Sequence, residues 1–77
     1  MVRFFARLRE ELGVDEEVLE LEDGATLAEL LDLVFKGRRP RALLVALNNE
    51  LVRDGSIEEL RLADGDVVDI MPPASGG

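Results

Sequence analysis

The chain has 77 residues, of which 47% are hydrophobic and 34% are charged, with no histidine, no cysteine and a formal net charge of −8. This length and balance indicate one small globular domain, and the missing histidine and cysteine argue against a free-standing enzyme, a bound metal and a disulfide framework. The acidic charge argues against a nucleic-acid partner, and the lack of a long apolar run argues against a membrane span, so we expect a cytoplasmic protein that docks on a basic surface.

The N-terminal part of the chain predicts two strands and a short helix. Residues 2–6 are β-branched and aromatic, which is typical of a strand. Residues 8–12 have a helical pattern of charged and apolar side chains, and Gly13 is a natural C-terminal residue for a short helix. Residues 16–21 predict a second strand that ends at a turn over residues 22–24.

The main helix has the clearest local signal in the chain. Thr26 and Glu29 form a capping box, in which the threonine hydroxyl accepts from the backbone N–H three residues on and the glutamate reaches back. Gly37 is expected to end this helix. The apolar residues that share one helical face, and therefore need burial, are Leu27, Leu30, Leu31 and Val34.

The C-terminal part predicts three further strands. Residues 43–47 are a continuous apolar strand, and Asn48 and Asn49 suit a tight hairpin turn into a short return strand at residues 50–52. Residues 56–60 predict a single helical turn, residues 64–66 a turn, and residues 67–71 the last strand. The chain is therefore predicted to be an α+β domain, with about five strands in one sheet covered by one main helix and with the first and last strands near its centre.

The last six residues, 72–77, read as an extended tail that follows the domain at residues 1–71. Gly76 and Gly77 leave a terminal carboxylate with no side chain behind it, which can pass through a channel too narrow for a Cβ. Pro72 and Pro73 fix φ and direct the tail away from the domain, and its full reach is about 20 Å. The residues expected to thread into another protein are Pro72, Pro73, Ser75 and Gly76. The alternative is a frayed or linker-like terminus.

This order of elements and this ending resemble the ubiquitin-like β-grasp sulfur carriers, and among them the small subunits of molybdopterin synthase. The resemblance covers essentially the whole chain. It rests on residues 4–10, on the hairpin at residues 46–52, and on the turn at residues 64–68 that runs into Pro-Pro-x-x-Gly-Gly. The last stretch is the most specific, since the thiazole-pathway carriers usually lack the paired prolines.

The resemblance implies a carrier and non-catalytic subunit with no permanently bound cofactor. An adenylating, E1-like enzyme would use ATP to activate the carboxylate of Gly77, so that the C-terminus carries AMP and then sulfur as a thiocarboxylate. The large subunit of molybdopterin synthase would receive this end and pass the sulfur to a pyranopterin precursor. The absence of cysteine is compatible with this, because any sulfur carried would have to sit on the C-terminus.

The same resemblance implies a docking face beside the tail. Phe5, Leu51 and Met71 match family positions that meet partner proteins, and Arg9 matches one that makes a polar contact. Ordinary core is the alternative for the three apolar residues. If they are exposed together, they form a patch that needs a partner. Position 71 departs from the family, in which an aromatic residue is often found there.

Three other functions remain open from the sequence. One is a related sulfur carrier that serves thiazole synthesis or tRNA thiolation. Another is a ubiquitin-like modifier that is conjugated to lysines of other proteins, since the same adenylation step serves both chemistries. The third is an interaction domain whose Gly-Gly end is incidental.

Overall fold

A computed structural model describes residues 1–38, 43–53 and 55–72, with the side chain of Arg7 left out. The elements are β1 (Val2–Phe4), α1 (Ala6–Leu12), β2 (Glu16–Glu17), α2 (Leu27–Phe35), β3 (Leu44–Leu47), β4 (Glu50–Leu51) and β5 (Val68–Met71). The strands form one sheet in the order β2-β1-β5-β3-β4. Strand β1 is parallel to β5, and the other pairs are antiparallel. The predicted mixed sheet of five strands is confirmed, with the last strand at its centre and the first beside it.

The first strand is shorter than predicted, and the first helix is longer. The ladder reaches Phe5, whose N–H donates to the Ile70 carbonyl at 3.1 Å, and the chain then turns into α1 at Ala6. The turn brings Leu8 into the core, where it is buried, so the predicted continuation of the strand through Ala6 is wrong. Gly13 ends the helix as predicted, with a φ of 75° that favours glycine.

The second strand is much shorter than the predicted 16–21. Only Glu16 and Glu17 pair with β1. In this register residue 18 would face Met1, but the amino group of Met1 is held by the Asp66 carbonyl at 2.9 Å. The following residues leave the ladder, and Leu19 and Leu21 pack against the core without a strand partner.

The main helix begins as the capping box predicts. The Thr26 hydroxyl accepts from the Glu29 backbone N–H at 3.2 Å, and it lies 3.4 Å from the Glu29 carboxylate. The helix ends at Phe35, before the expected Gly37, because Lys36 already adopts a left-handed φ of 54°. The predicted apolar face of the helix is confirmed, because it turns toward the core. Leu27, Leu30 and Leu31 are buried, and Val34 is half-buried.

The hairpin between β3 and β4 has the predicted asparagine turn. Asn48 and Asn49 both have positive φ, at 51° and 72°. The Asn48 side chain also accepts from the Val67 N–H at 2.9 Å and donates to the Asp66 carboxylate at 3.0 Å. These bonds tie the hairpin to the turn that precedes β5. Residues 56–60 form the predicted single turn, since the N–H groups of residues 59 and 60 both reach the Ser56 carbonyl at 3.0 Å.

Candidate functional site

The two faces of the sheet differ in what covers them. On one face, side chains of β1, β3 and β5 join those of α1 and α2 in a single core cluster, made of Val2, Phe4, Leu8, Leu27, Leu30, Leu31, Val45, Val68 and Ile70. Residues that alternate with these along the strands lie on the opposite face, because successive side chains of a strand point to opposite sides. We call this second surface the open face; its residues are Arg3, Phe5, Glu16, Leu44, Ala46, Leu51, Asp69 and Met71.

One row of the open face crosses the whole sheet. The pairing places Leu51 of β4 opposite Ala46 of β3, and Ala46 opposite Asp69 of β5. Asp69 is then opposite Arg3 of β1, and Arg3 is opposite Glu16 of β2. This row is apolar at the β4 end and charged at the β2 end.

A second row lies one step nearer the tail. Leu44 pairs with Met71, and Phe5 extends β1 beside Met71. Leu44 and Phe5 are each 39% exposed and Met71 is half-buried, while Leu51 in the first row is 68% exposed. Phe5, Leu51 and Met71 therefore share one surface and are not core. Their role in binding a partner stays a prediction.

Leu44 belongs to this apolar surface and was missed from the sequence. The run at residues 43–47 is apolar at every position, so its composition does not tell which residues face the core. The signal lies in the register, since Leu44 is paired with Met71 and the buried Val45 with Ile70.

A bidentate ion pair between Arg3 and Asp69 lies in the charged half of the first row. Arg3 Nε lies 2.6 Å from Asp69 Oδ1 and Arg3 Nη2 lies 2.8 Å from Asp69 Oδ2. The Asp69 side chain is 10% exposed and that of Arg3 is 38% exposed. The hydrogen bond to Asp69 raises the pKa of Arg3 above its ordinary value. The Arg3 guanidinium carbon also lies 5.9 Å from the centre of the Phe5 ring, within range of a cation–π contact. Neither Arg3 nor Asp69 was predicted from the sequence to belong to the site.

Arg9 lies on α1, away from the pairing that organises the open face. Its Nε is 3.5 Å from Asp15 Oδ1, and both side chains are more than half exposed. Such a pair contributes little to stability, so Arg9 remains available for a partner. Its predicted polar contact stays a prediction.

The C-terminal tail starts at the rim of the open face. Strand β5 ends at Met71, and the half-buried Pro72 follows it. The predicted threading and carrier residues Pro73, Ser75, Gly76 and Gly77 lie outside the described residues. The division into a domain at residues 1–71 and a tail at residues 72–77 stays a prediction.

Two hollows lie away from the start of the tail. A cavity of about 360 Å³ opens at the other end of β5, where Val2 and Val68 form part of its wall. A second one of about 270 Å³ has Leu51 and Val52 in its lining. Within residues 1–38, 43–53 and 55–72, no group of three or more acidic side chains is arranged to hold a metal ion. Neither helix of the described chain has the length and apolar character needed to span a membrane.

A sheet of this order with one main helix against a single face is the β-grasp architecture of ubiquitin-like proteins. The chain belongs to the ThiS family, which it matches over residues 2–77. It is 41% identical to the molybdopterin synthase sulfur carrier subunit of Chlamydomonas reinhardtii, over 99% of this chain and 95% of that protein. It is 37% identical to the subunit of the same name in Arabidopsis thaliana, over 99% of this chain and 80% of that protein. The resemblance seen in the sequence is thereby confirmed.

Solved structures agree on the fold. A putative molybdopterin converting factor subunit 1 from Pyrococcus furiosus superposes with a TM-score of 0.76 at 32% identity, covering 94% of this chain and 93% of that one. SAMP1 from Haloferax volcanii superposes with a TM-score of 0.77 at 24% identity, covering 99% of this chain and 96% of that one. The second likeness concerns the fold alone.

Proposed function

We propose that this chain is the sulfur carrier subunit of a molybdopterin synthase and that its sulfur is bound at the carboxylate of Gly77. The observation that carries the proposal is the 41% identity, over nearly the full length of both chains, to a protein of that name. The Gly-Gly ending and the paired prolines support it, because they supply the narrow, directed tail that such a carrier needs.

The chemistry uses the terminal carboxylate and a partner enzyme. An E1-like enzyme brings ATP to Gly77, the carboxylate attacks the α-phosphate, and pyrophosphate leaves. A hydrosulfide equivalent from a sulfur donor then forms the C–S bond as the bond to AMP breaks, which gives the thiocarboxylate. The acyl-adenylate needs a site that excludes water, and a tail without side chains at its end can reach into one. The chain itself supplies the acyl group and no catalytic side chain.

The open face is the surface we assign to the large subunit. Phe5, Leu44, Leu51 and Met71 form an apolar surface on the uncovered side of the sheet, and isolated domains rarely expose such a surface without a partner. Docking there holds the end of β5 against the partner. The tail, with its reach of about 20 Å, would then enter the partner from a fixed starting point.

The test is a reconstitution from purified parts. The chain carrying a chemically installed C-terminal thiocarboxylate is mixed with the large subunit of molybdopterin synthase from the same organism and a cyclic pyranopterin substrate. We expect the dithiolene of molybdopterin to form, and none to form with the unmodified chain or with a Gly77 deletion. Failure to form the product with the thiocarboxylated chain, using a large subunit that is active with the thiocarboxylated carrier of another species, would exclude this destination. Transfer into a thiazole precursor or a tRNA would then identify the related carriers.

A further inference from the structure

The Arg3–Asp69 pair lies between the apolar part of the open face and the edge residue Glu16. Among the side chains the structure describes, Asp69 is the buried charged one, at 7% exposure, and it lies in the central strand. Its neighbour across β3 is Ala46, and the next row toward the tail holds Leu44, Met71 and Phe5. A charged pair is thus set into the middle of the face that we assign to the partner.

Folding alone does not account for this pair. Burying the Asp69 carboxylate costs free energy that its attraction to the partly exposed Arg3 restores only in part, and replacing a buried ion pair by apolar side chains of similar volume is often neutral or stabilising. Across the sheet on the same face, Asp69 lies beside Ala46, whose small apolar side chain needs no charged neighbour. The pair is therefore better explained by something that binds to the open face.

Arg3 has hydrogen-bond donors to spare. A guanidinium group carries five N–H donors, and Asp69 takes one from Nε and one from Nη2. The Arg3 side chain is 38% exposed, and within the described residues its hydrogen bonds are the two to Asp69. A partner that covered the open face with a purely apolar surface would leave the other donors buried and unpaired, which is unfavourable.

The charges around Arg3 indicate what kind of acceptor fits. Asp69 neutralises the guanidinium, and Glu16 lies opposite Arg3 on β2 as a second carboxylate. A third carboxylate from a partner would be repelled by these two. An uncharged oxygen would accept the free N–H groups without that repulsion.

We propose that Arg3, held in position by Asp69, donates a hydrogen bond to a backbone carbonyl of the molybdopterin synthase large subunit when that subunit covers the open face. The inference rests on the proposed function, since it names the chemistry of the same docking surface. Arg3 is then a residue that selects the partner, and Asp69 is a positioning residue that fixes the guanidinium plane. A large subunit without a matching acceptor would be rejected.

The experiment separates stability from binding. In the double variant Arg3→Leu/Asp69→Val the net charge is unchanged, so long-range steering is preserved. We expect its thermal midpoint to equal or exceed that of the wild type, and its Kd for the large subunit, measured by calorimetry, to rise by about tenfold or more. Arg3→Lys is expected to stay as stable as the wild type and to bind more weakly, because an ammonium lacks the rigid fork of donors. Arg38→Met, which removes an exposed arginine that lies beyond the end of α2, is the control and should bind normally.

Each outcome decides the matter. Equal affinity of the double variant and the wild type would overturn the inference while leaving the proposed function standing. A loss of stability with unchanged affinity would show the pair to be structural and would also overturn it. An affinity ratio between the wild type and the double variant that collapses at high salt would identify a carboxylate acceptor and contradict the assignment of a carbonyl, because only the wild type keeps a guanidinium that salt can screen. Failure of the wild type to bind the large subunit would overturn the proposed function and this inference with it.

Discussion

Met71 and Leu44 are paired directly across β5 and β3, on the face of the sheet that the core does not use. Met71 closes the central strand and Pro72 follows at once, whereas Leu44 is partly exposed to solvent. Whatever covers this pair also fixes where the C-terminal tail leaves the domain. Under the proposed function, a partner that docks on this pair would also set the point from which the tail enters it.

Leu51 is expected to contribute to partner binding and little to folding. It is 68% exposed on the open face, so Leu51→Ser should change the free energy of unfolding by less than about 0.5 kcal/mol. Binding to the large subunit should weaken by about 1–2 kcal/mol, because an apolar contact is lost. Val18→Ser is the matched control, since Val18 is 79% exposed and lies beyond the end of β2, at the opposite edge of the sheet from β4. Calorimetric titration of both variants makes the comparison, and equal losses would refute a specific role for Leu51.

Ile70 is expected to dominate the stability of the central strand. It is fully buried in β5 between its partners Phe4 and Val45. Ile70→Ala should lower the free energy of unfolding by about 2–5 kcal/mol, because it removes buried methyl groups and leaves a cavity. Urea denaturation measures this, with Leu44→Ala from the same sheet as the comparison. A larger effect at Leu44 than at Ile70 would mean that the two faces are assigned the wrong way round.

The capping box of α2 can be tested with two substitutions at Thr26. Thr26→Ala removes the oxygen that accepts from the Glu29 N–H and should cost about 1 kcal/mol of stability. Thr26→Ser keeps that oxygen and should remain close to the wild type. Chemical denaturation compares the two variants. If alanine were as stable as serine at this position, the hydroxyl would not be the cap.

The lowered pKa of Asp66 predicts how the stability of the fold depends on pH. Hydrogen bonds from the Ala63 backbone N–H and the Asn48 side-chain amide lower the pKa of Asp66 from its ordinary value of 3.8. A carboxyl with a lower pKa in the folded state stabilises the fold above its unfolded-state pKa, and that contribution is lost as the pH falls through the folded-state value.

The wild type is therefore expected to be more stable than Asp66→Asn at neutral pH, with the difference shrinking once the pH drops below 3.8. Thermal unfolding across this range checks the sign. A difference that is constant through the acidic range would show that the carboxylate charge at Asp66 does not matter to the fold.

Local chemistry explains what could be read from the sequence. Thr26, Gly13, Asn48 and Asn49 each act within a few residues of themselves, through a cap or a left-handed backbone, and all four were placed correctly. The apolar stripe of α2 is local in the same sense, because helical periodicity alone fixes which side chains share a face.

The pairing register of the strands explains which features could not be predicted from the sequence. Arg3 and Asp69 are 66 residues apart in the chain, and only the parallel pairing of β1 with β5 brings them together. The early end of β2 likewise depends on what lies opposite it in the sheet, and the exposure of Leu44 depends on its pairing. Propensity carries no information about such partners. The role of Gly77 depends on a partner enzyme and stays a prediction.

The central claim is that Gly77 carries sulfur, and an intact mass spectrum tests it most directly. The purified chain is incubated with ATP, the E1-like enzyme of its own organism and a sulfide source, beside a second known sulfur carrier that reports whether the enzyme is active. We predict a gain equal to the exchange of one oxygen for one sulfur, dependent on ATP and absent when Gly77 is deleted. An unchanged mass for this chain, while the second carrier gains sulfur from the same enzyme, would contradict the account.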